Sequence, residues 1–168
     1  MHLECEDFIH RMYMGHMDAF TTAKSLLEGG SMDVNGTAKA FFPAVERFVG
    51  VDWRAGQNVT HVGLVHEYKA KHRFQFVLST EMLEHDPYWE KSLRRMVDLV
   101  DHGGSLLVTC AGPGRKRHRD ETSPDRSYRC LTTSQLLSPV LESRWAVVIA
   151  EDDLAPADSR IFCYRRLT

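Results

Sequence analysis

Three short runs of the chain gather residue types able to hold a polar ligand. The first is Leu27-Glu28-Gly29-Gly30-Ser31-Met32-Asp33-Val34-Asn35-Gly36, where a candidate strand runs into a glycine turn. Glycines at a strand-to-helix turn let backbone N–H groups approach a ligand closely. The run is not the G-x-G-x-x-G dinucleotide fingerprint, because no third glycine falls at the required position. The second run ends in Asp52, at the close of Arg47-Phe48-Val49-Gly50-Val51-Asp52. An acid there can accept hydrogen bonds from both hydroxyls of a ribose, or serve only as a turn or cap aspartate. The third is Ser79-Thr80-Glu81-Met82-Leu83-Glu84-His85, polar residues at the mouth of an apolar strand that could form one wall of a pocket. His85 is a residue type that can titrate near neutral pH, which makes it a candidate general base.

The elements that must position these residues follow from periodicity and punctuation. Residues 3 to 20 have helical spacing, with Cys5, Phe8, Ile9, Met12 and Tyr13 able to share a face. Ser25–Glu28, Arg47–Asp52, Val59–Val65 and Phe74–Ser79 read as four strands, and Thr37–Phe42 as a brief helix stopped by Pro43. Asp86-Pro87 reads as the N-cap and first position of a helix whose apolar stripe is Trp89, Leu93, Met96, Val97 and Val100. Gly103-Gly104 reads as the turn that follows. Ser105–Cys110 is a fifth strand, and Thr132–Leu141 a helix interrupted or ended near Pro139. Trp145–Ala150 and Arg160–Tyr164 are closing strands. The order predicts a mostly parallel α/β sheet with an antiparallel addition, in which ligands bind outside the carboxyl ends of the strands. No repeat or boundary divides the chain, so residues 1–168 read as a single domain, with a helical segment over 1–22 and a polar, basic loop over 111–130.

Taken together, the runs at Leu27–Gly36, Val49–Gly56, Leu78–Trp89 and Gly103–Arg115 resemble the class I S-adenosylmethionine (SAM)-dependent methyltransferases. The likeness is to the small group called methyltransferase domain type 11, and it spans roughly residues 5 to 140. The resemblance implies a Rossmann-like three-layer sandwich around a seven-stranded sheet whose last strand is antiparallel, with SAM lying across the strand ends. By the same resemblance Glu28, Gly29, Gly30 and Ser31 would hold the methionine end of the cofactor, with Asp33, Asn35 and Gly36 shaping that loop. Asp52 would bind the ribose hydroxyls, Trp53 would border the adenine, and Ser79, Thr80 and Glu81 would line the floor near the sulfonium. The chain departs from the pattern after the third strand. Leu64 stands where the family often has an acid for the adenine amino group, so that contact is lost or passes to the backbone or to His66, and only Glu67 to Arg73 separates the third and fourth strands.

Methyl transfer needs alignment of nucleophile, methyl and sulfur, and a base only if the acceptor must lose a proton. The candidate bases are His85, His118 and Tyr128, the last two in the loop where the family builds its acceptor site. The expected acceptor is a small molecule, or a sugar or nucleotide conjugate. A nucleic-acid acceptor is a lesser alternative carried by Arg115-Lys116-Arg117-His118-Arg119, which has no interleaved aromatic residues and is followed by Asp120-Glu121. A fold kept for binding or regulation, without turnover, is a further alternative.

The bulk composition agrees with these readings. Of 168 residues 43% are hydrophobic and 26% charged, with a net charge of −2, which suits a soluble globular protein and argues against bulk electrostatic coating of nucleic acid or membrane. The 4 cysteines are widely separated, the 9 histidines show no metal-ligand spacing, and no apolar run could span a bilayer. Reduced thiols, a cytoplasmic location and no metal are the corresponding expectations.

Overall fold

The computed structural model describes residues 2–34, 36–116, 128–142, 145–155 and 157–167. Seven strands form one sheet: β1 (Ser25–Gly29), β2 (Arg47–Asp52), β3 (His61–Val62), β4 (Phe74–Thr80), β5 (Val100–Ala111), β6 (Trp145–Asp152) and β7 (Asp158–Arg165). Their order is β3-β2-β1-β4-β5-β7-β6. The first five are mutually parallel, and β7 runs antiparallel to both β5 and β6. The chain therefore winds from β1 outward to β3, then returns to place β4 on the other side of β1. The crevice at that reversal is where an open α/β sheet binds ligands.

Period-2 alternation divides the core between the two faces of the sheet. Leu26, Phe76, Leu78, Leu107 and Phe162 pack with one cluster. Leu27, Val77, Leu106, Val108, Ile161 and Cys163 pack with the other. The first face is covered by α1 (Leu3–Gly15) and α2 (Met17–Thr21), through Cys5, Phe8, Ile9, Met12 and Phe20. Phe20 lies 4.8 Å, ring to ring, from Phe76 and 5.1 Å from Phe42, an aromatic knot that fastens the N-terminal segment to the sheet. The second face is covered by α3 (Trp89–Leu99) and α4 (Thr133–Leu141), through Leu93, Met96, Val97, Leu136 and Val140.

Four local expectations change. The third strand contracts to His61–Val62, and Val65 instead opens a 3-10 turn over Val65–Glu67 that packs on α3. The Arg95 guanidinium donates to Tyr68 O at 2.9 and 3.0 Å, tying down the short segment that stands in place of a helix. Asp86 is not the N-cap of α3, because the helix begins at Trp89. Its carboxylate nonetheless supports that end, accepting the Tyr88 N–H at 2.7 Å and the Ser92 hydroxyl at 2.5 Å. Gly103-Gly104 lies inside β5 rather than ahead of it. Val100 leaves the helix to pair with Phe74, and the ladder resumes at Phe76 and Ser105, so the glycines occupy an irregularity where Gly103 adopts φ +75°. Pro139 neither ends nor breaks α4, which is started by a capping box between Thr132 and Gln135 and continues to Leu141.

Candidate functional site

The carboxyl ends of β1, β2 and β4 surround one cleft. At the end of β1, Gly30 adopts φ +76° and its N–H bonds Val51 O at 2.8 Å, which turns the chain across β2. A Cβ at Gly30 would lie 2.6 Å from Met82 Cβ, so only glycine lets these two walls approach. The loop is then hung on β2: Met32 N–H reaches Asp52 Oδ2 at 3.2 Å, and Arg54 N–H reaches Oδ1 at 3.0 Å. Each Asp52 oxygen keeps a lone pair for a ligand hydroxyl. Further along, Asp33 Oδ1 accepts the Gly36 N–H at 2.9 Å, closing a small turn at the rim.

Glu28 is the most telling group. It is 3% exposed and lines the cleft, and its Oε2 has no hydrogen-bond partner. Burial, reinforced by the nearby charge of Asp33, pushes its carboxyl up to about 8. Ser31 Oγ is likewise buried without a partner. Buried polar atoms without partners cost free energy, and so mark places where a ligand supplies them.

The sequence expectations converge here. Glu28, Gly30, Ser31, Gly36, Asp52, Trp53, Thr80, Glu81 and His85 all line the cleft. Gly29 and Ser79 do not; they pair with each other in the β1–β4 ladder beneath it. Tyr128 stands outside the lining and meets the His85 ring edge-on, with centroids 5.1 Å apart. Asn35 and His118 lie outside the described residues, as does the 117–119 part of the basic run. Arg115, the first member of that run, is turned inward: its guanidinium sits 2.5 Å from Asp158 Oδ1.

Met32 and Arg54 join the cleft without being assigned a role from the sequence, while Met82 and Leu64 fall in stretches the sequence singles out. Met32 and Met82 face the cavity, and Arg54 stacks its guanidinium 4.7 Å above the Trp53 ring. Leu64 forms part of the wall, flanked by Gly63 and Val65. Glu84, next to His85, is fully buried with Oε2 unpartnered, and burial followed by the charge of Glu81 pushes its carboxyl well up. Glu84 falls in the run the sequence singles out, but no periodicity distinguishes it from a solvated loop acid, so only the fold reveals its burial.

No family model and no curated protein matches the sequence. Solved structures match along nearly the whole chain. A Burkholderia thailandensis 1,6-didemethyltoxoflavin-N1-methyltransferase, solved with 1,6-didemethyltoxoflavin and S-adenosylhomocysteine, superposes with TM-score 0.66 at 15% identity, over 96% of this chain and 78% of that one. An amino pentose methyltransferase from Micromonospora echinaspora, solved with SAM, gives TM-score 0.65 at 13% identity over 96% and 90%. A SAM-dependent methyltransferase from Clostridium acetobutylicum gives 0.66 at 8% identity over 99% and 93%. The chain has the class I methyltransferase fold: a Rossmann-like seven-stranded sheet with its last strand antiparallel.

Proposed function

We propose that this chain is a SAM-dependent methyltransferase acting on a small-molecule acceptor. The observation that carries the reading is the pairing of an unpartnered buried Glu28 with a doubly anchored Asp52 across one cleft at the strand-order reversal. The donor set suits the cofactor. Glu28 would take its ammonium group, and the Asp52 carboxylate would accept both ribose hydroxyls. Trp53 and Leu64 would border the adenine, while Thr80 and Glu81 would lie toward the sulfonium, with Gly29 and Ser79 setting the floor between β1 and β4. The structural relatives solved with SAM or S-adenosylhomocysteine support this choice of ligand.

When bound, SAM supplies a methyl group already activated by a positively charged sulfur. The chain's own task is to hold the acceptor in line, exclude water and take a proton where the acceptor must lose one. His85, on the cleft wall, would take that proton, and Tyr128 would steady its ring through their edge-on contact. Arg115 is engaged by Asp158, which removes one cation from a nucleic-acid surface and favours a small acceptor. Leu64 leaves the adenine edge without an acid, the feature that keeps a binding role without turnover as the second reading. Residues 1–168 act as one domain in this account, and among the described residues no helix is long and apolar enough to cross a membrane.

Incubation with methyl-labelled SAM and a panel of amino-sugar, heterocyclic and phenolic acceptors tests the activity. Labelled product that disappears in Asp52→Ala supports methyl transfer. Tight cofactor binding with no labelled product across the panel would favour the second reading.

A further inference from the structure

Just ahead of α1, the His2 ring sits among carboxylates from three separate parts of the chain. Nδ1 lies 3.0 Å from Glu4 Oε2, and Nε2 lies 3.0 Å from Glu81 Oε2 and 3.4 Å from Asp158 Oδ2. Ionised carboxylates only accept hydrogen bonds, so both ring nitrogens need a hydrogen at once; neutral imidazole has one and imidazolium has two. The geometry therefore selects the cation.

The groups facing His2 from each packed element agree. Glu4 of α1, Glu81 after β4 and Asp158 of β7 are acids. Against them stand Arg115, bound to Asp158 and 3.9 Å from Glu81, and Arg160, bound to Asp158 but shared with Glu151 and Asp153. Arg11 of α1 also binds Glu151. The acids outnumber the guanidiniums, and a protonated His2 reduces the excess. Because both Asp158 oxygens already accept arginine N–H groups, the cluster is better suited to a proton than to a metal ion.

Glu81 links this cluster to the cleft. It adopts φ +53°, unusual for a residue with a side chain, and its N–H bonds Thr109 O at 3.0 Å. The Thr109 hydroxyl donates to Glu81 Oε1 at 3.0 Å, and Cys5 Sγ of α1 lies 3.2 Å from that same hydroxyl. His2, just ahead of α1, thus reaches the Glu81 carboxylate directly, and Cys5 in the first turn of α1 reaches it through the Thr109 hydroxyl.

We propose that the His2 imidazolium is a positioning residue for Glu81, clamping that carboxylate at the cleft wall and making cofactor affinity depend on His2 protonation. The inference rests on the SAM reading of the cleft. The Glu81 bond holds the His2 proton against the opposing effect of burial, so its titration lies above the usual histidine range. The clamp is complete at lower pH and is released as pH rises through that raised value.

The test combines NMR titration of the His2 ring in the full chain with calorimetry of S-adenosylhomocysteine across pH, for the parent, His2→Arg and His2→Gln. His2 should titrate above its ordinary value of about 6.5, and Glu81→Gln should bring it down. His2→Arg, a permanent cation with several donors, should keep parent affinity and lose one step of the pH profile. His2→Gln should bind about tenfold more weakly, the weight of one charge-assisted hydrogen bond, with that step also gone. Identical pH profiles in parent and His2→Arg, or a His2 titration unmoved by Glu81→Gln, would overturn the proposal. Failure of the cofactor reading looks different: no variant binds S-adenosylhomocysteine at any pH. That result removes the affinity claim, while a His2 titration that still responds to Glu81→Gln establishes the clamp alone.

Discussion

The backbone N–H of Met32 lies 3.2 Å from the Asp52 carboxylate, so the loop after β1 is suspended from the end of β2. Asp52 therefore has a structural and a ligand-binding duty on the same two oxygens. Asp52→Asn keeps one acceptor oxygen and should retain the fold while weakening S-adenosylhomocysteine binding about tenfold or more, as expected when a charged hydrogen-bond partner is neutralised. Asp52→Ala also releases two backbone N–H groups and should lower stability by about 1–3 kcal/mol. Thermal unfolding and calorimetry on both variants separate the two duties.

Glu28 makes stability and binding depend on pH in opposite senses. Its folded-state carboxyl is raised to about 8, above its unfolded value. The empty protein thus keeps the Glu28 contribution at low pH and loses it as pH rises toward that raised value. Glu28→Gln should flatten this loss and stabilise the empty protein near pH 8 by roughly 4 kcal/mol, because a tenfold change in proton affinity between the folded and unfolded chain is worth about 1.4 kcal/mol. Binding of a ligand ammonium ionises Glu28, so a proton should be released at neutral pH, seen as a binding heat that changes with the ionisation heat of the buffer. Stability rising in parallel for parent and Glu28→Gln between about pH 5 and 8 would sink this assignment.

Gly30 combines φ +76° with a Cβ position 2.6 Å from Met82 Cβ. Gly30→Ala should cost about 1–2 kcal/mol for the backbone alone, with further loss from displaced Met82. Because the contact is at Cβ rather than at a flexible tip, the cleft wall must move and S-adenosylhomocysteine affinity should fall with the melting temperature.

His85 and Tyr128 divide along the proton-transfer account. His85→Ala should reduce methyl transfer about 10²-fold or more for an acceptor that must lose a proton, with S-adenosylhomocysteine affinity nearly unchanged. Tyr128→Phe preserves the edge-on ring contact and should retain most activity, whereas Tyr128→Ala should resemble His85→Ala. Equal loss in Tyr128→Phe and Tyr128→Ala would assign the chemistry to the Tyr128 hydroxyl instead.

Much of this architecture is legible in the sequence because it depends on local pattern. Strand β2 (Arg47–Asp52) runs as the alternation and its terminal acid predict, and the cleft ends of β1 and β4 carry the polar residues the sequence singles out. What the sequence hides depends on distant partners. The β5 ladder skips from Val100, paired with Phe74, to Ser105, paired with Phe76, and no local pattern of Gly103-Gly104 foretells a strand. Asp86 looks like a helix cap because Pro87 follows it, yet Ser92 and Tyr88 claim its carboxylate one turn early. His2 and Glu81 are 79 residues apart, and only the docking of α1 brings them together.

The central claim is that Glu28 and Asp52 frame a SAM site, and calorimetric titration of the purified chain with SAM and S-adenosylhomocysteine tests it most directly. The account predicts one-to-one binding of both at micromolar affinity, abolished in Asp52→Ala. No heat of binding at millimolar ligand, or binding that Asp52→Ala leaves intact, would contradict it.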